Sequence, residues 1–259
     1  MAPITGPNGI SDVIGGAITA HSPAKIEIDI VNVLDVSPNG SNLAEADGFV
    51  WTGSPLSVTS STPEIEGLKE WMILCAASKK PIFGICFGLQ LAAVVAGGEV
   101  GRNPRGRESV ISRKVEITSS GEQHPMMDRR QGSFDVMTDH VDAITRLPER
   151  AVCLASNTAC EVQAASFDLN GAEVWGTQYH PDIDLPMQRL ILLESRAERI
   201  SEGYFEDTEN FERYLGRLER LIAEPDARDA RWQLGFDDDV LNPIMRYAEL
   251  HCWLDHQIL

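Results

Sequence analysis

Residues 81–90 read Pro-Ile-Phe-Gly-Ile-Cys-Phe-Gly-Leu-Gln, an apolar strand that runs into Gly84-Ile85-Cys86-Phe87-Gly88 and straight on into a helix. Glycines two before and two after the cysteine permit the tight, strained strand-to-helix turn that exposes the side chain at its apex. A chain built around such a turn needs a sheet to deliver the strand and a helix to carry the backbone away, which is α/β architecture. At the apex, the sulfur of Cys86 meets the N-terminus of the helix, whose partial positive charge suits a sulfur nucleophile. The backbone N–H of Phe87 would point at an oxyanion as it develops.

The rest of the chain supplies the sheet. Lys25 to Leu34 reads as a strand, with Ile26, Ile28 and Ile30 on one face and Val31 and Val33 on the other. Gly48 to Thr52 and Pro81 to Ile85 read as short buried strands around an amphipathic helix over Pro63 to Ser78, and Leu89 to Ala96 as the helix after the turn. Lys114 to Thr118, Ser133 to Met137, Ala151 to Ser156, Val162 to Phe167 and Val174 to Gln178 are strand-like. Strands this short, separated by helices, predict an α/β fold with a largely parallel central sheet. After His180 the pattern turns helical over Met187 to Ile200, Thr208 to Ala223 and Val240 to Leu254. Residues 1–199 therefore read as the catalytic domain and 200–259 as an acidic helical extension, packed on the core of its own chain or used between subunits.

Composition narrows the partners. A formal charge of −17 on 259 residues disfavours nucleic acid and anionic membrane surfaces. No apolar run approaches the ~20 residues needed to cross a bilayer, and residues 1–16 lack a basic, then apolar, leader, so a cytoplasmic protein is expected. Cysteines at 75, 86, 153, 160 and 252 form no CxxC pair and suggest neither a disulfide framework nor a metal site. No cofactor is expected.

The segment GICFGLQ resembles the G-x-C-x-G-x-Q nucleophile motif of class I (triad) glutamine amidotransferases, and further segments agree in the family's order. Trp51-Thr52-Gly53-Ser54-Pro55 resembles the oxyanion loop, and residues 103–108 (NPRGRE) the N-P-x-G-x-E stretch after the elbow helix. Residues 139–142 (DHVD), followed by Leu147-Pro148, are similar to the S-H-x-D…L-P region. Residues 176–182 (GTQYHPD) match G-x-Q-[FY]-H-P-E except at the end. The resemblance implies a flavodoxin-like sheet with helices on both faces. It makes Cys86 the nucleophile, His180 its base and Asp182 the acid that orients the imidazole; Asp184, two residues on, is the alternative acid that the sequence itself offers. The resemblance gives oxyanion donors at Gly53 and Phe87, and substrate contacts at Gln90, Ser54 and His140, the last in a loop over Thr138 to Asp142. Asp182 stands where the family has Glu, one methylene longer, so its carboxylate is expected to fall ~1 Å short of the imidazole unless the backbone moves. Arg102, Arg105 and Arg107 form a basic cluster read as an ion-pair network or a carboxylate contact. Family members open with a strongly apolar strand, for which this chain offers only Ala2 to Thr5.

No GxxxxGK[ST] loop, pyrophosphatase loop or Rossmann fingerprint accompanies the site. The expected reaction is hydrolysis of the γ-carboxamide of L-glutamine through a Cys86 thioester, giving glutamate, with ammonia passing to a separate synthetase or other acceptor. The G-S-P loop and helical tail resemble stand-alone, GMP synthase-like members, some of which cleave γ-glutamyl amides or peptides, so a γ-glutamyl hydrolase is the alternative. A catalytically weak relative serving in a regulatory or binding role is the remaining reading, with Asp182 as its one supporting feature. Oligomerisation is left open.

Overall fold

The computed structural model describes residues 10–21, 26–35 and 43–259. In chain order the elements are α1 (Ile10–His21), β1 (Phe49–Trp51), α2 (Pro63–Ala77), β2 (Ile82–Ile85), α3 (Phe87–Val95), β3 (Glu99–Arg102), β4 (Glu108–Ile117), β5 (Ser133–His140), β6 (Asp142–Arg146), β7 (Val152–Ser156), β8 (Ala164–Leu169) and β9 (Ala172–Thr177). Helices follow: α4 (Leu185–Glu194), α5 (Arg196–Ser201), α6 (Thr208–Ala223), α7 (Arg228–Leu234), α8 (Asp238–Leu241), α9 (Pro243–Arg246) and α10 (Ala248–Trp253).

The main sheet has the order β1-β2-β9-β8-β7-β4-β5, and β3 pairs with β6 in a small antiparallel sheet. The expected parallel arrangement covers β1, β2 and β9, in register Trp51↔Gly84 and Gly84↔Gly176. From β9 outward the pairings are antiparallel. Every residue of β2 is buried, as a strand covered on both faces must be. Ile82 packs with α2 and α3 on one face, while Phe83 and Ile85 pack with α1 and α10 on the other. Helices thus cover both faces, as expected of this α/β fold.

Local chemistry explains the covering helices. Thr62 caps α2 by accepting from the Ile65 N–H, Pro63 occupies the first turn where its missing donor is harmless, and Ile65, Leu68, Trp71, Met72 and Cys75 face inward. Burying each of the larger side chains contributes roughly 1.5–3 kcal/mol. Asp207 caps α6, whose Phe211, Leu215, Leu218 and Leu221 form one buried stripe. That stripe packs with Met187, Leu192, Val110 and Met137 in a third cluster. The chain then returns to the sheet, where Leu250, Trp253 and Leu254 join Phe83, Ile85 and Trp175. The residues after 200 therefore pack on the core of their own chain.

Several expectations are corrected. Residues 26–35 form no strand, and Ile28, Ile30, Val31 and Leu34 are exposed. Alternation alone makes no strand without a ladder partner, and this segment joins neither sheet. Lys25 and the short strand over Ala2 to Thr5 lie outside the described residues. The helix expected over Met187 to Ile200 is interrupted at Ser195 (φ −103°, ψ 13°). The one expected over Val240 to Leu254 is broken twice. Asn242 is extended because a residue before proline avoids the helical region, and Tyr247 (φ −94°, ψ 17°) separates α9 from α10. Thr138 to Asp142, expected as a loop, closes β5 and opens β6. Among the described residues no helix is long and apolar enough to cross a membrane.

Candidate active site

Three neighbouring parallel strands deliver the site to one edge of the sheet. Gly53 follows β1, Cys86 follows β2 and His180 follows β9, all at the carboxyl ends where α/β sheets bind ligands. The Cys86 N–H extends the β2–β9 ladder to the Thr177 carbonyl at 2.7 Å. Cys86 then takes φ 48°, ψ −103°, a strained conformation for a residue with a side chain, and serves as N-cap residue of α3. The flanking glycines are required by contact. A Cβ at Gly88 would lie 2.4 Å from the Trp51 carbonyl oxygen, and one at Gly84 would lie 2.6 Å from the Leu89 nitrogen. Phe87 opens α3, so the helix provides no acceptor for its N–H.

His180 and Asp182 lie in the turn after β9, and Nδ1 of His180 is 3.1 Å from Oδ1 of Asp182. The shortfall expected from the missing methylene is therefore not seen. Asp182 is fully buried, and its Oδ2 has no hydrogen-bond partner among the described residues. Asp184 caps α4 by accepting from the Met187 N–H at 2.9 Å, which commits that oxygen to the helix. Burial works against a charged His180, but the Asp182 carboxylate and the Cys86 sulfur outweigh it and hold the imidazole well above its ordinary value. Gly53 packs on the ring: a Cβ there would lie 2.7 Å from Cε1.

The other expected contacts fall into two groups. Gln90 is buried, and its Nε2 donates to the Asp142 carbonyl at 2.9 Å and to Oε1 of Gln178 at 3.0 Å. Ser54 Oγ accepts from the Leu56 N–H at 3.2 Å, closing the turn of the Gly53 loop. Ser57 from that loop donates to the Asp142 carboxylate, linking β1's exit to β6. His140 is buried, with Nε2 3.0 Å from Glu108 Oε2 and Nδ1 3.0 Å from the Asp142 carbonyl. Burial pushes the Glu108 carboxyl up, but hydrogen bonds from His140, Asn157 and Ser112 hold it below its usual value. His140 and Gln90 thus both brace the Asp142 backbone. Of the basic cluster, Arg107 pairs with Asp139, Glu198 and Glu202, while Arg102 and Arg105 make no ion pair among the described residues. With Arg102, Arg105, Glu202 and Tyr204 it lines a surface depression of about 320 Å³.

Sequence reasoning missed Gln178. Its amide is fully buried, donates Nε2 to the Cys86 sulfur at 3.4 Å and accepts from Gln90. The available signal was its place as the glutamine of the G-x-Q-[FY]-H-P-E match, two positions before His180. Among the described residues, no group of three His, Cys, Asp or Glu side chains is arranged to hold a metal ion. The arrangement suits acyl transfer: a thiol at the sheet edge, an imidazole oriented by a carboxylate, and N–H groups beside the sulfur.

Comparison with known proteins agrees with this geometry. The class I glutamine amidotransferase family model matches residues 19–197. A γ-glutamyl-L-1-hydroxyisopropylamide hydrolase of a Pseudomonas species is 32% identical over 220 residues, covering 84% of this chain and 74% of that protein. One of the subunits of the glutamine-hydrolysing GMP synthase of Methanocaldococcus jannaschii is 31% identical over 126 residues, 49% of this chain and 63% of its own length. The fold is shared with the crystal structure of a glutamine amidotransferase from Thermotoga maritima, with a TM-score of 0.57 and 19% identity, covering 80% of this chain and 79% of that one. With the match running from α1 through the elbow and the histidine turn into α5, the chain belongs to the class I glutamine amidotransferase family.

Proposed function

We propose that this protein hydrolyses γ-glutamyl amides through a thioester on Cys86. The observation that carries the reading is the convergence of a strained Cys86 with the buried His180–Asp182 pair at the ends of adjacent parallel strands. His180 takes the thiol proton as the sulfur attacks the γ-carbonyl carbon, and the Gly53 and Phe87 N–H groups receive the oxyanion. The C–N bond breaks with transfer of that proton from His180 to the departing amine. A water molecule, deprotonated by His180, then attacks the thioester, releasing glutamate and returning the proton to Cys86. Asp182 holds the imidazole with its Nε2 toward the sulfur, and Gln178 steadies the sulfur from the side.

Two leaving groups are in question. A match over 84% of the chain to a protein named for hydrolysis of a γ-glutamyl hydroxyalkylamide favours an amine larger than ammonia. Glutamine as substrate, with ammonia passed to a separate synthetase, is the second reading. It is favoured by the likeness to a protein named as one of the subunits of a glutamine-hydrolysing GMP synthase. The test is glutamate release from L-glutamine and from a panel of γ-glutamyl alkylamides and dipeptides, by wild type and Cys86→Ala. Removing the nucleophile is expected to cost about 10⁶-fold in kcat, as in other triads. Higher kcat/KM on alkylamides than on glutamine sustains the first reading, and the reverse order the second. Turnover indifferent to Cys86 overturns both, and no turnover at all overturns both and leaves a binding or regulatory role.

A further inference from the structure

His180 and Asp182 share one short turn, so their mutual hydrogen bond does not tie that turn to the rest of the protein. Asp182 does not anchor it through its second oxygen either, because Oδ2 is buried without a partner among the described residues. The aim of the imidazole therefore depends on what grips the turn on either side of His180. Below it, the His180 N–H donates to the Met137 carbonyl at 2.9 Å. At the strand end, the Thr177 hydroxyl donates to the Tyr179 carbonyl and the Gln178 N–H to the Gln163 carbonyl, each at 2.8 Å. Two further grips come from a part of the chain beyond the family match at residues 19–197.

On the N-terminal flank, the Tyr179 hydroxyl donates to Oε1 of Glu249 in α10 at 2.7 Å. Glu249 is fully buried and is fixed in turn by Arg130, which donates Nε to Oε1 at 2.7 Å and Nη2 to Oε2 at 3.3 Å. Arg130 stacks over Phe134 at 4.3 Å, which meets Tyr179 edge-on. On the C-terminal flank, Arg246 at the end of α9 donates Nε to the Pro181 carbonyl at 3.1 Å and Nη1 to the Val240 carbonyl at 3.3 Å. Residues 179 and 181 are thus each held by a buried charge from the same C-terminal segment. Apolar packing would fill this space equally well; directional bonds to a hydroxyl and a carbonyl fix the turn's angle as well as its position.

We propose that Glu249 and Arg246 are positioning residues for His180, and that the segment Asp238–Trp253 is a clamp on the turn bearing the base. This rests on the reading of His180 as the base for Cys86. Neither residue touches substrate; each acts through the backbone that carries the imidazole.

Two conservative variants of the full chain test the clamp. Tyr179→Phe removes one hydroxyl and leaves the Arg130–Glu249 pair intact. Arg246→Met keeps an unbranched apolar stem and removes the donor to Pro181. Three quantities are measured: kcat and KM on the best γ-glutamyl amide, the pH profile of Cys86 alkylation by iodoacetamide (followed by peptide mass), and the folded fraction from thermal unfolding. Misdirected catalytic groups lose rate steeply with sub-ångström displacement. Each variant is expected to lower kcat per folded molecule about tenfold, and the double variant about a hundredfold. KM should change less than about twofold, and the midpoint of the alkylation profile should move by about half a pH unit or more. Wild-type kcat per folded molecule and an unmoved midpoint in the double variant overturn the clamp, because a purely structural role would alter only the folded fraction. Alkylation needs no substrate, so it separates the two hypotheses. If the wild type hydrolyses no amide, the proposed reaction fails, while a shifted midpoint still sustains the clamp and an unshifted one overturns it.

Discussion

Two regions hold the candidate site together by opposite means. At the elbow around Cys86 the constraint is backbone against backbone: the space beside Gly88 is closed by the Trp51 carbonyl and that beside Gly84 by the Leu89 amide. Around Glu249 the constraint is buried charge, with Arg130, Tyr179 and Glu249 joined across 119 and 70 residues of sequence. The first region has no room for a Cβ at either glycine, and no ion pair holds its backbone turn. The second would accept other shapes, but no unpaired ion. Sterics at the elbow therefore determine where the sulfur stands, and long-range polar pairing determines how firmly the histidine turn is held.

The largest effect is expected where the charge is broken. Glu249→Leu leaves the Arg130 guanidinium buried without its main partner and the Tyr179 hydroxyl without an acceptor, at a cost of about 3–5 kcal/mol in unfolding free energy. The three groups are replaceable as a unit, so Arg130→Met and Tyr179→Phe combined with Glu249→Leu should recover most of that loss in urea unfolding. A single-variant cost below about 1 kcal/mol would erase the distinction between the regions. Gly88→Ala comes next. Its Cβ would stand 2.4 Å from a carbonyl oxygen that cannot rotate away, so the β1–α3 contact must open, at about 1–3 kcal/mol. Its signature is a loss of turnover larger than the loss of folded protein, because the opening falls beside Cys86. No second substitution of a side chain should rescue it, in contrast to the Glu249 case.

This contrast also explains what was legible in the sequence. The elbow, its two glycines, the apolar strand before it and the histidine after another apolar strand are local patterns, and the structure has them at Ile82–Ile85, Cys86, Phe87–Val95 and His180. The capped helices over residues 63–77 and 208–223 were legible for the same reason, since apolar spacing and cap lie within one segment. Strand pairing was not. Residues 26–34 carry a strand-like alternation yet form no strand, and the antiparallel pairings from β9 outward depend on partners that no local pattern names. Gln178 and Glu249 escaped notice similarly. Each is a polar residue whose meaning comes from a contact distant in sequence, with Cys86 in one case and Arg130 in the other.

The smallest expected effect is a difference in pH response between the histidine beside the elbow and the one in α10, because the two are shifted in opposite directions. His251 in α10 is stacked on His21 of α1 at 3.9 Å. Burial, then the neighbouring His21 and Arg129, push it down to about 4, against the opposing pull of Asp255. The unfolded chain, with an ordinary histidine near ~6.5, binds more protons than the folded one between those values, so stability should fall as pH drops from ~6.5 toward 4. His180 is shifted upward by Asp182 and Cys86 despite its burial. Its contribution is present in full below ~6.5 and is lost only as pH rises through its folded value. Urea unfolding of wild type, His251→Gln and His180→Gln at pH 4.5, 6.5 and 9 reads both signs. His251→Gln should flatten the loss between pH 6.5 and 4.5, and His180→Gln should cost more stability at pH 6.5 than at pH 9. Equal slopes in all three proteins on the acid side would mean that α10 is not protonated before the protein unfolds, and that the C-terminal clamp has no pH sensitivity of its own.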